Sequence, residues 1–252
     1  MGQVETEATE GAVSRAFAVL ELLAREDAPV RLSAVAARLG MQKSTVHRIL
    51  ATLSGLGYAE QESQTGCYRA TLRLWELGSG LIAHHPVKRA GAAFLRQLHQ
   101  STRETVSLTV LSGDDVLYLD KIVSPRPIRF TSRIGSRAPA PVTAGGKAML
   151  AHEPEARAII RRAQERIQKQ RRVSVDALMR ELEGVRRNGY ATSSYSPGVI
   201  SFAAPIMARD GRAAAALSVS APESRLTKSK REDIIEQLLR TCAEIAERVG
   251  HL

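Results

Sequence analysis

The chain has 252 residues, 44% of them hydrophobic, with a formal net charge of +10, enough to bury real cores and to predict two domains rather than one. No run reaches the roughly 18 apolar residues of a membrane span, and the acidic segment Met1–Glu10 lacks the basic and apolar regions of a secretory signal, so a cytoplasmic protein with no membrane partner is expected. Two well-separated cysteines, Cys67 and Cys242, do not make a disulfide framework, and the charge is lopsided, with 8 Lys+Arg against 9 Asp+Glu in residues 1–80 and 28 against 17 in the rest.

Residues 1–10 read as a disordered tail. An amphipathic helix follows, with Val13, Ala16, Phe17, Leu20, Leu23 and Ala24 on its apolar side, and Glu26-Asp27-Ala28-Pro29 breaks it. The 22 residues Leu32–Leu53 then read as two short helices. In the first, Leu32, Val35, Ala36 and Leu39 recur at i, i+3, i+4 and i+7; in the second, Val46, Ile49, Leu50 and Leu53 do the same. Gly40 between them suits the left-handed conformation that closes a helix. Gln42, Lys43, Ser44, Thr45, His47 and Arg48 stay off the packed seam of the second helix. These are the side-chain types that neutralise phosphates and hydrogen-bond base edges, so they are the candidate DNA-binding residues of a helix-turn-helix. Arg38, Lys43 and Arg48 occur in this stretch with no acidic residue, a local basic character that matters more than the global charge. Tyr58–Gln61 and Gly66–Arg69 flank a turn and predict a two-stranded wing, which completes a winged DNA-binding domain over residues 11–70.

Residues 71–85 read as a linker helix, ended by His84-His85-Pro86; adjacent histidines diverge, and no cysteine or acidic cluster completes a metal-ligand set, so no metal and no cofactor is expected. Residues 86–252 read as one mixed α/β domain. A helix over Val87–Gln100 leads to strands Thr105–Leu111 and Val116–Ile122 about Ser112-Gly113-Asp114-Asp115. A second hairpin joins Phe202–Met207 to Ala213–Ser220, so the sheet is antiparallel. Between them fall a glycine turn and helix at Thr143–Leu150 and helices near Glu155–Arg172 and Val175–Asn188. The basic run Arg157–Arg172 is read as a solvated face, with an auxiliary phosphate contact as the sharper alternative. A last helix over Ser229–Val249 carries Ile235, Leu238, Leu239, Cys242, Ile245, Ala246 and Val249 on its core seam.

Taken in order, VSRAFAVLELLA, LSAVAARLGMQKSTVHRILATL, GCYRATLRLWELG, GDDVLYLDKI, RIGSRAPAPVTAGGKAMLA, PGVISFAAPI and DGRAAAALSVSAPESRLT resemble the isocitrate-lyase-regulator (IclR) family of bacterial transcription factors. The resemblance implies a winged helix-turn-helix, a linker helix and a GAF-like α/β effector-binding domain. It also implies homodimers or homotetramers that regulate a catabolic operon by binding an operator and a small organic acid.

It places the effector pocket as well. Backbone N–H groups at Ala144 and Gly145 would hold a carboxylate, and Ser218 and Ser220, two apart on a strand, would face one cavity. Ser201 stands where the family often has cysteine, and Ala191–Ser196 replaces an acidic stretch, so the pocket should be less acidic than is usual. With Thr143, Ser201 and Tyr195 beside apolar Ile128 and Phe130, the expected effector is a small, aromatic carboxylate such as a hydroxybenzoate.

Two other classes are weighed. An enzyme with a fused autoregulatory DNA-binding domain would turn its ligand over, and a purely architectural DNA-binding protein would be indifferent to every small molecule. Ala144-Gly145-Gly146-Lys147 only partly matches a phosphate loop, because Pro141 stands where glycine is needed and Ala148 where Ser or Thr is needed; no nucleophile elbow or zinc-protease motif occurs.

Overall fold

The computed structural model describes residues 11–130, 132–167 and 174–249, and the expected tail at 1–10 lies outside them. The chain divides into two compact units, Met1–Leu81 and Ile82–Leu252.

In the first unit, helices α1 (Ala12–Arg25), α2 (Leu32–Leu39) and α3 (Lys43–Gly55) precede a wing of β1 (Ala59–Gln61) and β2 (Tyr68–Ala70), and α4 (Arg73–Ala83) follows. Gly40 has φ 62°, and the N–H of Met41 donates to the carbonyl of Ala36, so the left-handed residue reverses the chain between α2 and α3. One core holds the unit: Val35 and Ala36 of α2 and Val46, Ile49, Leu50 and Leu53 of α3 meet Val19, Leu20 and Leu23 of α1. The expected seam of α1 is corrected here. Val13 and Phe17 are 69% and 61% exposed, whereas Val19 is fully buried. The seam that packs runs through Ala16, Val19, Leu20 and Leu23, and Val13 and Phe17 lie one strip away from it.

The second unit is built on a six-stranded sheet. Its elements in order are α5 (Pro86–Thr102), β3 (Thr105–Ser112), β4 (Asp115–Ile122), β5 (Arg137–Pro139), α6 (Ala144–Leu150), α7 (Ala156–Arg166), α8 (Val175–Asn188), β6 (Ala191–Ser193), β7 (Val199–Met207), β8 (Ala213–Pro222) and α9 (Lys228–Val249). Both expected hairpins are present, and all strand pairs are antiparallel, in the order β5-β4-β3-β8-β7-β6. The strands β5 and β6, three residues each, were not expected.

Alternation along the strands gives the sheet two different faces. On one, Val106, Leu108, Phe202, Ala204, Ile206, Leu217 and Val219 pack against α5 and α9. Ile234, Leu238, Cys242 and Ile245 are the buried seam of α9, while Leu239, expected there, is 36% exposed. The other face carries small residues, Ala191, Ala203 and Ala216, under α6 and α8. The α6 start needs that smallness. A Cβ on Gly145 would meet Thr109 Oγ1 at 2.7 Å, and one on Gly146 would meet the carbonyl oxygen of Ala140 at 2.1 Å. Thr143 caps α6, its hydroxyl accepting the N–H of Gly146 at 3.1 Å.

A buried carboxylate ties the loop after β4 to the sheet. Glu104 has no exposed side-chain surface and accepts from Arg126, Arg225 and Lys230 at 2.6, 2.7 and 3.1 Å. Burial alone would push its pKa up, but the bonds from Arg225 and Lys230 outweigh that and hold the carboxyl below the usual glutamate range.

Candidate functional site

The first candidate surface is α3. Its apolar seam turns Gln42, Lys43, Ser44, His47 and Arg48 outward, while Thr45 is half-buried. Gln42 occupies the N-cap without a side-chain capping bond, so its amide and the first-turn N–H groups are open to a phosphate or a base edge. The six residues do not share one strip. Thr45 and Arg48 stand with Thr52 on the side toward α1, where they border an apolar groove that also includes Val13, Phe17, Leu56 and Leu77. Arg38, counted among the local cations, is engaged by Glu26 at 2.6 Å across the α1–α2 connection; among the described residues Lys43 and Arg48 form no ion pair.

The second candidate is a cavity of about 160 Å³ on the small-residue face of the sheet. Its floor follows from register. Ser220 of β8 is paired with Thr105 of β3 and with Ser201 of β7, and Ser201 is paired with Ser193 of β6, which sets a row of hydroxyl residues across four strands. Ser218 lies two residues along on the same face. The Ser201 and Ser220 hydroxyls are 2.8 Å apart, Ser218 donates to the carbonyl of Ser107 at 3.4 Å, and Ser193 donates to that of Val142 at 2.6 Å. Thr143, Ala144 and Gly145 close one wall, with Phe130 and Tyr195 at others. Eight of the nine expected effector residues thus line one cavity.

Ile128 does not. Its side chain is 72% exposed, because the carbonyl of Ile128 accepts from Arg225 at 2.8 Å and the segment is a loop, so strand alternation does not carry Ile128 inward with Phe130. The structure adds Thr109, Tyr118, Ser132, Arg137 and Ser193 to the lining. Burial pushes the Tyr118 phenol up. The guanidinium of Arg137 is spent on the β3–β4 turn, donating to the carbonyl and hydroxyl of Ser112 at 3.1 and 2.8 Å. No carboxylate among the described residues lines the cavity.

The order of a reading helix with a wing, then a sheet domain with a hydroxyl-lined cavity, is matched by known families over nearly all of this length. The profile of the IclR helix-turn-helix domain matches residues 12–63, and that of the bacterial transcriptional regulator IclR C-terminal domain matches residues 80–247. The chain belongs to the IclR family. The HTH-type transcriptional regulator KdgR of Escherichia coli is 32% identical over 244 residues, which cover 95% of this chain and 92% of KdgR. The crystal structure of the Thermotoga maritima IclR covers 94% of this chain and 98% of its own, with TM-score 0.76 and 25% identity. An IclR homologue from Microbacterium hydrocarbonoxydans, solved in complex with 4-hydroxybenzoate, covers 96% of this chain and all of its own, with TM-score 0.80 and 24% identity.

Membership makes this chain a DNA-binding transcriptional regulator with a C-terminal effector domain, not an enzyme. Among the described residues no helix is long and apolar enough to cross a membrane, and no cluster of His, Cys, Asp and Glu suits a metal ion. In this IclR-family chain two of the missed cavity residues, Thr109 and Tyr118, lie on expected strands, where alternation was the available signal, and the other three lie where sequence signals are faint. Ser193 sits on a three-residue strand, and Ser132 and Arg137 lie in or beside the irregular segment between β4 and α6.

Proposed function

We propose that this regulator's hold on its operator is set by a small carboxylate, an aromatic one such as a hydroxybenzoate fitting best, bound in the cavity of the second unit. The observation that carries the reading is the cavity itself. Its 160 Å³ is close to the roughly 150 Å³ that admits one benzene ring. The floor supplies hydroxyls at Ser201, Ser218 and Ser220, the wall supplies the backbone N–H groups of Ala144 and Gly145, and Phe130 and Tyr118 supply ring contacts. That the Microbacterium homologue was solved with 4-hydroxybenzoate agrees with this choice of ligand.

On the DNA side, Lys43 and Arg48 contact phosphates, while Gln42, Ser44, Thr45 and His47 read base edges. Two half-sites require two recognition helices, so the working species is a homodimer or homotetramer. The exposed apolar groove beside α1, with Phe17 61%, Leu56 61% and Leu77 50% exposed, is the surface a second copy would cover. Effector occupancy then shifts the population of assemblies whose paired helices fit the half-site spacing. The test is fluorescence-anisotropy binding to the DNA upstream of the protein's own gene, repeated with a panel of aromatic and aliphatic carboxylates. A shift by one aromatic acid is the expected result. A shift only by aliphatic keto acids removes the aromatic part, and DNA binding that no compound moves removes the effector reading.

A further inference from the structure

One polar atom of the cavity is unaccounted for. Ser132 lines it, and its Oγ is buried with no hydrogen-bond partner among the described residues. Several neighbouring hydroxyls are engaged: Ser201 with Ser220, Ser218 with Ser107, Ser193 with Val142, and Thr109 with the carbonyl of Ala216 at 3.3 Å. A buried hydroxyl left unpaired is costly, and native proteins satisfy nearly all of them, so the contents of the cavity are what Ser132 is placed to bond.

Its position is set by two anchors. Two residues before it, the carbonyl of Phe130 accepts from Thr105 Oγ1 at 2.9 Å; three residues after it, the N–H of Gly135 donates to the carbonyl of Tyr118 at 2.8 Å. Ser132 therefore belongs to the β3–β4 side of the cavity, whereas the Ser201–Ser220 pair belongs to the β8–β7 side. The two anchors stand on β3 and β4 and the serine pair on β8 and β7, one to three strand spacings away, about 5–14 Å.

The same side carries an unspent cation. Lys121 of β4 is in register with Ser107, which is in register with Ser218, so its side chain leaves the sheet on the cavity face. It forms no ion pair among the described residues, and burial lowers its pKa. The wall itself is braced by the Glu104 cluster through Arg126 and Arg225.

We propose that Ser132 is a specificity-determining residue that bonds a second oxygen function on the effector, a hydroxyl or phenol at the end remote from the group held by the serine row. This rests on the cavity being the effector site. The ligand class is thereby narrowed from a simple acid to a hydroxy acid.

The experiment is calorimetric titration of the full chain with benzoate and with 4-hydroxybenzoate, and with butyrate and 4-hydroxybutyrate as the aliphatic pair. Wild type, Ser132→Ala and Ser201→Ala are compared, with circular dichroism as the folding control. The expected result is a preference of about tenfold for the hydroxylated member of whichever pair binds, abolished by Ser132→Ala with the plain acid nearly unchanged, whereas Ser201→Ala weakens both members together. Equal affinity of the wild type for both members, or a Ser132→Ala variant that keeps the preference or weakens both equally, overturns the inference and leaves the effector site standing. Binding of no carboxylate overturns both.

Discussion

Replacing Glu104 by Gln removes the charge at the centre of the buried cluster and leaves Arg126, Arg225 and Lys230 facing one another. Each of these cations lies 2.6–3.1 Å from the carboxylate, and at an effective dielectric near 20 one such pair is worth about 5 kcal/mol. Mutual repulsion of the cations and the cost of burying the carboxylate cancel most of that, and loss of one member of a buried pair costs about 3–5 kcal/mol. The cations retain 24–33% of their side-chain surface in water, and that screening brings the loss to or below the bottom of that range, about 2–3 kcal/mol. For a domain of this size the corresponding fall in melting temperature is about 5–10 °C. The pH dependence has a definite sign. Because the folded-state pKa of Glu104 is depressed, the folded protein binds fewer protons than the unfolded one in that range. The contribution is therefore complete above the ordinary glutamate value of about 4.3 and is lost as pH falls through the folded value. Thermal melts of wild type and Glu104→Gln should thus differ near neutrality and converge as the pH falls through the depressed folded-state value. A variant that melts within about 2 °C of wild type at neutral pH, or a gap that stays constant in acid, refutes the argument.

Lys43→Ala should weaken binding to operator and unrelated DNA by the same factor and lower the salt slope of log affinity by about one unit, read by anisotropy over a salt series; an unchanged slope removes Lys43 from the phosphate contacts. Gly146→Ala drives a methyl into the Ala140 backbone and should cost about 1–3 kcal/mol by urea unfolding, and a wild-type midpoint contradicts that. Burial pushes the Cys242 thiol up to about 12, while Cys67 is only half-buried, so an aromatic disulfide reagent should titrate one thiol rapidly in the native protein; two fast thiols would show the α9 seam to be open.

What the chain shows on its face is what neighbouring residues decide. The α2–Gly40–α3 corner was legible because its seams and its left-handed glycine are encoded within a few residues, and Cys242 fell on a seam that repeats along one helix. The strands β5 and β6 were not legible, since three residues carry no periodicity and their pairing to β4 and β7 is dictated at a distance. Ile128 was misplaced for a related reason: Arg225, 97 residues away, holds its carbonyl and turns the side chain out. Arg38 looked like a free cation until Glu26 was brought beside it by the chain reversal. The paired serines came from the family resemblance, with strand alternation putting both on one face, but Ser132 needed the closed cavity, because an unpaired hydroxyl is invisible until everything that could pair with it has been placed.

The division of labour between the two faces of the large sheet has an evolutionary consequence. Apolar side chains against α5 and α9 form one core of the effector domain and the alanines under α6 and α8 join a second, while the hydroxyls that line the cavity belong to neither. Exchanging a serine there for another small residue changes the chemistry of the cavity without disturbing the packing that keeps the domain folded. Under the proposed function, such a scaffold can acquire a new chemical signal by single substitutions, each tolerated on its own.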